Sequence, residues 1–120
     1  MLLRTADAAL PPITRNGEFK RAYARGKSAV HPALVTYRSK NRLGTARVGI
    51  TASKKIGGAP VRNRARRVIR AAFRQLNPHV LPGIDIVFVA RGRTAACKSH
   101  EIARIMAAHL KTLGIMESDQ

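Results

Sequence analysis

Between Gly58 and Asn77 the chain has one consistent reading. Val61, Ala65, Val68, Ile69, Ala72, Phe73 and Leu76 recur at helical spacing and, at roughly 100° per residue, fall in one continuous sector. Asn63, Arg66, Arg67, Arg70 and Arg74 group opposite them, with Arg62 and Arg64 on the two borders. A helix that is apolar on one side and a comb of guanidinium groups on the other must lie on a core with its cations outward. Pro60 suits the first turn, where a missing N–H costs nothing, and Asn77-Pro78 stops the helix. The helix is therefore expected over Pro60 to Leu76.

The comb lies in a larger asymmetry. The six acids are Asp7, Glu18, Asp85, Glu101, Glu117 and Asp119, so no carboxylate occurs from Phe19 to Ile84, a stretch that holds 16 of the 23 cations. The net charge is +17. Solvated charged faces usually interleave signs; a segregated cationic surface calls for a polyanion, and nucleic acid is the first candidate. At 120 residues and 45% hydrophobic content the chain suits one folded domain with a single core. One cysteine, Cys97, excludes an internal disulfide framework and fits a reducing cytoplasm. Arg4 and Asp7 interrupt any signal-peptide core, and no apolar run approaches the roughly 18 residues of a membrane span.

The remaining elements follow from period. Residues 1–14 read as a lead-in segment, 15–114 as the domain and 115–120 as a tail. Asn16 can cap a first helix on which Phe19, Ala22 and Tyr23 share a face, with Gly26 at its end. Ala33 to Arg38 and Arg47 to Ala52 read as strands joined in a long-looped hairpin, and a weaker strand signal lies at Lys27 to Val30. Ile84 to Ala90 reads as a central strand, buried on both faces except near Asp85. Ser99 can cap a last helix that Gly114 ends. The order α-βββ-α-β-α predicts an α+β sandwich on one sheet.

Catalytic groups in the protein itself are poorly provided for. Cys97 beside Lys98 and near His100 is too local a cluster to imply a nucleophile and base, and a small half-buried thiol is the reading it supports. His31, His79, His100 and His109 show no metal-ligand spacing, and a carboxylate-free middle offers no two-metal nuclease site. Composition alone leaves a ribosomal or general RNA-binding protein open.

The segment Ser53, Lys54, Lys55, Ile56, Gly57, then Arg62, Asn63, Arg64, then Arg67, Arg70 and Phe73 strongly resembles the protein subunit family of bacterial ribonuclease P. Phe19, Tyr23 and Gly26 match the family's first helix, Tyr37 its cleft strand, and Asp85 to Arg91 its later strand; the likeness covers about Arg15 to Leu113. Gly58 and Pro60 stand where the family more often has Asn and a β-branched residue. The resemblance implies a ribosomal-protein-like RNA-binding fold with a left-handed β-α-β crossover. It also implies a place in the endonuclease that removes the 5′ leader of precursor tRNA. It assigns Lys54, Lys55, Arg62, Asn63, Arg64, Arg66, Arg67 and Arg70 to the catalytic RNA, and Phe19, Tyr23 and Tyr37 to the single-stranded leader. Catalysis, with its Mg²⁺, then belongs to the RNA, and no obligate protein partner is implied.

Overall fold

The computed structural model describes residues 3–4, 12–13 and 16–116. In chain order the elements are β1 (Leu3–Arg4), α1 (Asn16–Arg25), β2 (Lys27–His31), β3 (Leu34–Lys40), β4 (Arg47–Thr51), α2 (Ala59–Leu76), β5 (His79–Val80), β6 (Ile84–Ala90) and α3 (Ser99–Thr112). Four strands form a mixed sheet in the order β2-β3-β6-β4. β3 runs antiparallel to β2 and β6, and β4 runs parallel to β6. A two-residue pairing of β1 with β5 stands apart as a second small sheet, beyond the single sheet expected.

β6 explains the layering. Its residues alternate between faces, and both faces are apolar. Ile84, Ile86, Phe88 and Ala90 join Leu34 and the inner faces of α2 and α3, where Ile69, Ile102, Met106 and Leu110 are wholly buried. Val87 and Val89 point the other way, into a smaller cluster with Ile13, Ala22, Phe19 and Tyr37 beneath α1. The sheet is thus sandwiched between α1 and the α2–α3 pair. Burying a side chain such as Phe88 or Ile69 contributes about 1.5–3 kcal/mol, and this two-sided demand holds β6 at the centre.

The expected hairpin between the strands at 33–38 and 47–52 does not form, because β6 lies between them. The hairpin is β2–β3 instead, with His31 opposite Leu34 across a two-residue turn in which the Ala33 N–H donates to His31 Nδ1 at 3.0 Å. The weak strand signal at Lys27 was the true partner. Ser99 does not cap α3: Lys98 holds that position, its N–H donating to Glu101 Oε1, while the Ser99 hydroxyl accepts from Gln75. Asp85, expected at an open spot, is buried. At the ends, packing passes the boundaries read from sequence, since Ile13 is buried and Ile115 is wholly so. Ile13 also donates its N–H to Val48 O on β4.

Candidate nucleic-acid interface

α2 spans Ala59–Leu76 and presents the two faces its period requires. Ala65, Ile69 and Ala72 are buried, whereas Arg64, Arg67 and Arg70 are exposed. Val61, placed in the apolar sector by period, instead stays exposed near the start of the helix, against Gly57. Lys54 and Lys55 extend the cationic surface on a short 3-10 turn, Lys54–Ile56, just before the helix. Arg64 and Arg67 line an open depression of about 740 Å³ with Pro60, Asn63 and the small residues Gly92 and Ala96. Arg62 is half-buried, and its Nε is enclosed without a hydrogen-bond partner among the described residues. Its remaining donors are the part of the group suited to a phosphate.

A second site lies across the sheet, between α1 and β3 to β4. Phe19, Tyr23, Tyr37, Ile50, Thr51, Ser53 and Arg66 line an open cleft of about 500 Å³. Tyr23 and Tyr37 meet edge to face, ring centroids 5.0 Å apart, and the Tyr23 and Thr51 hydroxyls share a hydrogen bond of 3.2 Å. Tyr23 is exposed, while Phe19 and Tyr37 are half-buried and also pack on the small core beneath α1. Phe19 is therefore core and cleft at once.

Gly49 makes room for that ring. A Cβ built there would lie 2.6 Å from the Phe19 ring and 3.1 Å from Ile13. Only hydrogen lets the ring settle on β4. The alternation of β4, with Arg47, Gly49 and Thr51 on one face, is the sequence signal that could have found this position.

α1 is anchored to the sheet by charge. Arg47 and Asp85 are register partners on β4 and β6, so their side chains emerge side by side. Arg47 Nε and Nη2 donate to the two Asp85 oxygens at 2.9 and 2.7 Å, and Nη1 pairs with Glu18 of α1. The Asp85 hydrogen bonds, then Glu18, hold the Arg47 guanidinium above its ordinary range. Asn41 adds a third donor to Asp85 at 2.8 Å.

Of the residues singled out in the sequence, the structure brings Phe19, Tyr23 and Tyr37 together and keeps Lys54, Lys55, Arg62, Asn63, Arg64, Arg67 and Arg70 on the α2 side. Arg66 departs from the expected grouping. It donates to Asn63 Oδ1 at 3.1 Å while its guanidinium reaches the cleft wall near the Ala52 carbonyl, joining the two surfaces. Sequence reasoning placed it on the comb because a helical wheel does not show which neighbour a long side chain crosses.

Among the described residues no group of three His, Cys, Asp or Glu side chains gathers to hold a metal. The carboxylates nearest the cleft, Glu18 and Asp85, are both bonded to Arg47. The donor set does not fit a divalent cation. Cys97 Sγ, half-buried, donates to the Arg93 carbonyl. No helix among the described residues is long and apolar enough to cross a membrane.

An α+β sandwich carrying a guanidinium comb and an aromatic cleft has the make-up of an RNA-binding protein. Comparison with known proteins makes this particular. The Ribonuclease P family matches residues 11–114. The ribonuclease P protein component of a Thermoanaerobacter species is 43% identical over 94 residues, spanning 78% of this chain and 81% of the relative. That of Caldanaerobacter subterraneus subsp. tengcongensis is 37% identical over 111 residues, spanning 92% and 96%. The solved RNase P protein of Staphylococcus aureus superposes with a TM-score of 0.75 at 30% identity, covering 88% of this chain and 97% of that one. The chain belongs to the ribonuclease P protein family, the protein component of the ribonucleoprotein endonuclease that processes tRNA.

Proposed function

We propose that the two surfaces divide the substrate complex between them. Lys54, Lys55, Arg62, Asn63, Arg64, Arg67 and Arg70 neutralise and hold the backbone of the catalytic RNA, while Phe19, Tyr23 and Tyr37 stack on splayed bases of the precursor's 5′ leader. Arg66, set between them, tracks the leader's phosphates where it leaves the aromatic rings. The observation that carries this reading is the convergence of three aromatic side chains and one guanidinium on a single open cleft. Stacking of that kind tolerates any base and is worth about 1–3 kcal/mol per base, which suits leaders of varied sequence.

The protein's part is binding and positioning. Glu18 and Asp85, the described carboxylates on the sheet and α1, are bonded to Arg47, and the reading leaves Mg²⁺ and the hydrolytic step to the RNA. The protein lowers the Mg²⁺ requirement by supplying fixed cations against phosphate repulsion. It works with catalytic RNA and precursor tRNA in the cytoplasm. Single-turnover cleavage of precursor tRNA by the cognate RNA at low Mg²⁺, with and without the protein, tests this. Stimulation only when the two are combined supports the reading. Failure to stimulate by a folded, RNA-binding chain overturns it in favour of a general RNA-binding role.

A further inference from the structure

On the flank of α1 away from the aromatic cleft lies a larger groove of about 870 Å³. One wall is α1, where Arg21 and Arg25 stand one turn apart; the other is the end of β3 and the loop after it, with Lys40 and Arg42. All four are exposed and form no ion pair among the described residues. The only carboxylate among the described lining residues, Glu18, is bonded to Arg47. At the base, Arg38 Nη1 donates to the Leu113 carbonyl at 2.6 Å, which fixes the group without cancelling its charge.

The loop wall is held in place. Asn41 donates its N–H to Gly83 O and its side-chain amide to Asp85 and Thr45 O, and its Oδ1 accepts the Leu43 N–H. Lys40 and Arg42 flank this pinned residue, so their charges are presented from a fixed backbone. Among the described residues the groove contains no aromatic ring, and Leu43 is its one large apolar side chain. It therefore lacks the stacking platform of the cleft and offers cations on two facing walls. That chemistry fits paired RNA, whose bases are inside and whose phosphates are outside.

We propose that this groove is a separate phosphate-binding surface for the backbone of double-helical RNA. The inference rests on the RNA-binding reading above and adds a site to which neither the comb nor the leader cleft contributes. The test uses the full chain carrying Arg64→Ala and Arg67→Ala, so that the comb does not mask the groove, and a blunt RNA duplex as probe. Arg25→Ala with Arg42→Ala removes one cation from each wall. Arg104→Glu, on the exposed side of α3, removes the same net charge elsewhere. An independent pair, Arg21→Gln with Lys40→Gln, guards against a local folding defect in the first.

The expected result is at least a tenfold greater loss of duplex affinity for each groove pair than for Arg104→Glu. The slope of log affinity against log salt should also fall by about 2, one contact per cation removed. A single-stranded probe should respond to all three variants alike. Equal losses on the duplex for groove and control variants would reduce the groove to part of the general field and overturn the proposal. Loss of polyglutamate binding with duplex binding retained would give the groove to an acidic protein and overturn it too. If the unmodified protein stimulates precursor cleavage while the groove variants match the control, the groove alone fails; if it neither stimulates nor binds RNA, both readings fail.

Discussion

On α2, Arg64, Arg67 and Arg70 stand exposed with no ion pair among the described residues, whereas Phe19 and Tyr37 in the cleft are half-buried and also pack on the core beneath α1. The comb is attached to the fold through the opposite face of its helix and can change without disturbing it. The cleft is continuous with the fold: its rings lie on Val87 and Val89 of the central strand, and Gly49 and the Arg47–Asp85–Glu18 cluster set where α1 lies. Charge contacts to RNA tolerate imprecise placement, because Coulomb attraction varies slowly with distance. Stacking does not, so its residues are built into the packing.

The strongest way to break that contrast is Asp85→Ala. It leaves the Arg47 guanidinium in a mostly buried position with Glu18 as its remaining charge partner; loss of one partner of a buried pair costs about 3–5 kcal/mol when nothing compensates it, and Glu18 keeps the cost here at the lower end. Urea denaturation should show a loss of that order. At low temperature, where the variant is folded, leader binding should suffer more than binding of the catalytic RNA. A loss below about 1 kcal/mol would mean that Arg47 finds other partners and that the cluster does not anchor α1.

Within the cleft, Tyr37→Ala should weaken precursor tRNA binding by about 1–3 kcal/mol, the worth of one stacked base, and leave mature tRNA nearly untouched. Gly49→Ala sharpens the point, since it retains every aromatic ring but forces Phe19 to move. Discrimination between precursor and mature tRNA should fall in both variants. Equal losses for the two RNAs would show that the rings serve the fold alone.

The comb should behave in the opposite way. Arg64→Ala with Arg67→Ala should lower the salt-dependence slope of catalytic-RNA binding by about 2 while leaving stability within about 0.5 kcal/mol, as for ordinary exposed positions. An unchanged slope would remove these two cations from the RNA contact. A large loss of stability would erase the distinction between the two regions.

The same contrast accounts for what could be read from the chain. α2 was legible nearly to the residue because helical period is local and its boundary signals, Pro60 and Asn77, are adjacent in sequence. β6 was legible because a run with six apolar residues out of seven has few other places to go. Strand order was not: β3 and β4 are neighbours in sequence with alternating patterns, and nothing local shows that β6 inserts between them. Asp85 looked exposed because its partners, Arg47, Asn41 and, through Arg47, Glu18, come from three other parts of the chain. The convergence of Phe19, Tyr23 and Tyr37 was anticipated only through family likeness, and Arg66 and Gly49 required the packing itself.

The smallest expected effect concerns the ground beneath β3, the strand that carries Tyr37. On its other face Thr36 Oγ1 and His109 Nδ1 of α3 share a buried hydrogen bond of 2.8 Å. Burial, and then the charge of His31, lower the His109 pKa from its ordinary 6.5. The unfolded chain therefore binds this proton more readily than the folded one. Stability from this group is complete above the unfolded value and is lost as pH falls through it toward the lowered folded value. Thermal melts between about pH 7.5 and 5.5, above the carboxylate range, should show Tm falling with acid in the unmodified protein and less so in His109→Gln. Because His109 faces the core and lines neither the comb nor the cleft, the remaining folded fraction should keep both surfaces intact. Equal pH dependence in the two proteins would place the titrating group elsewhere, and selective loss of leader binding at low pH would show that α3 reaches the cleft through β3.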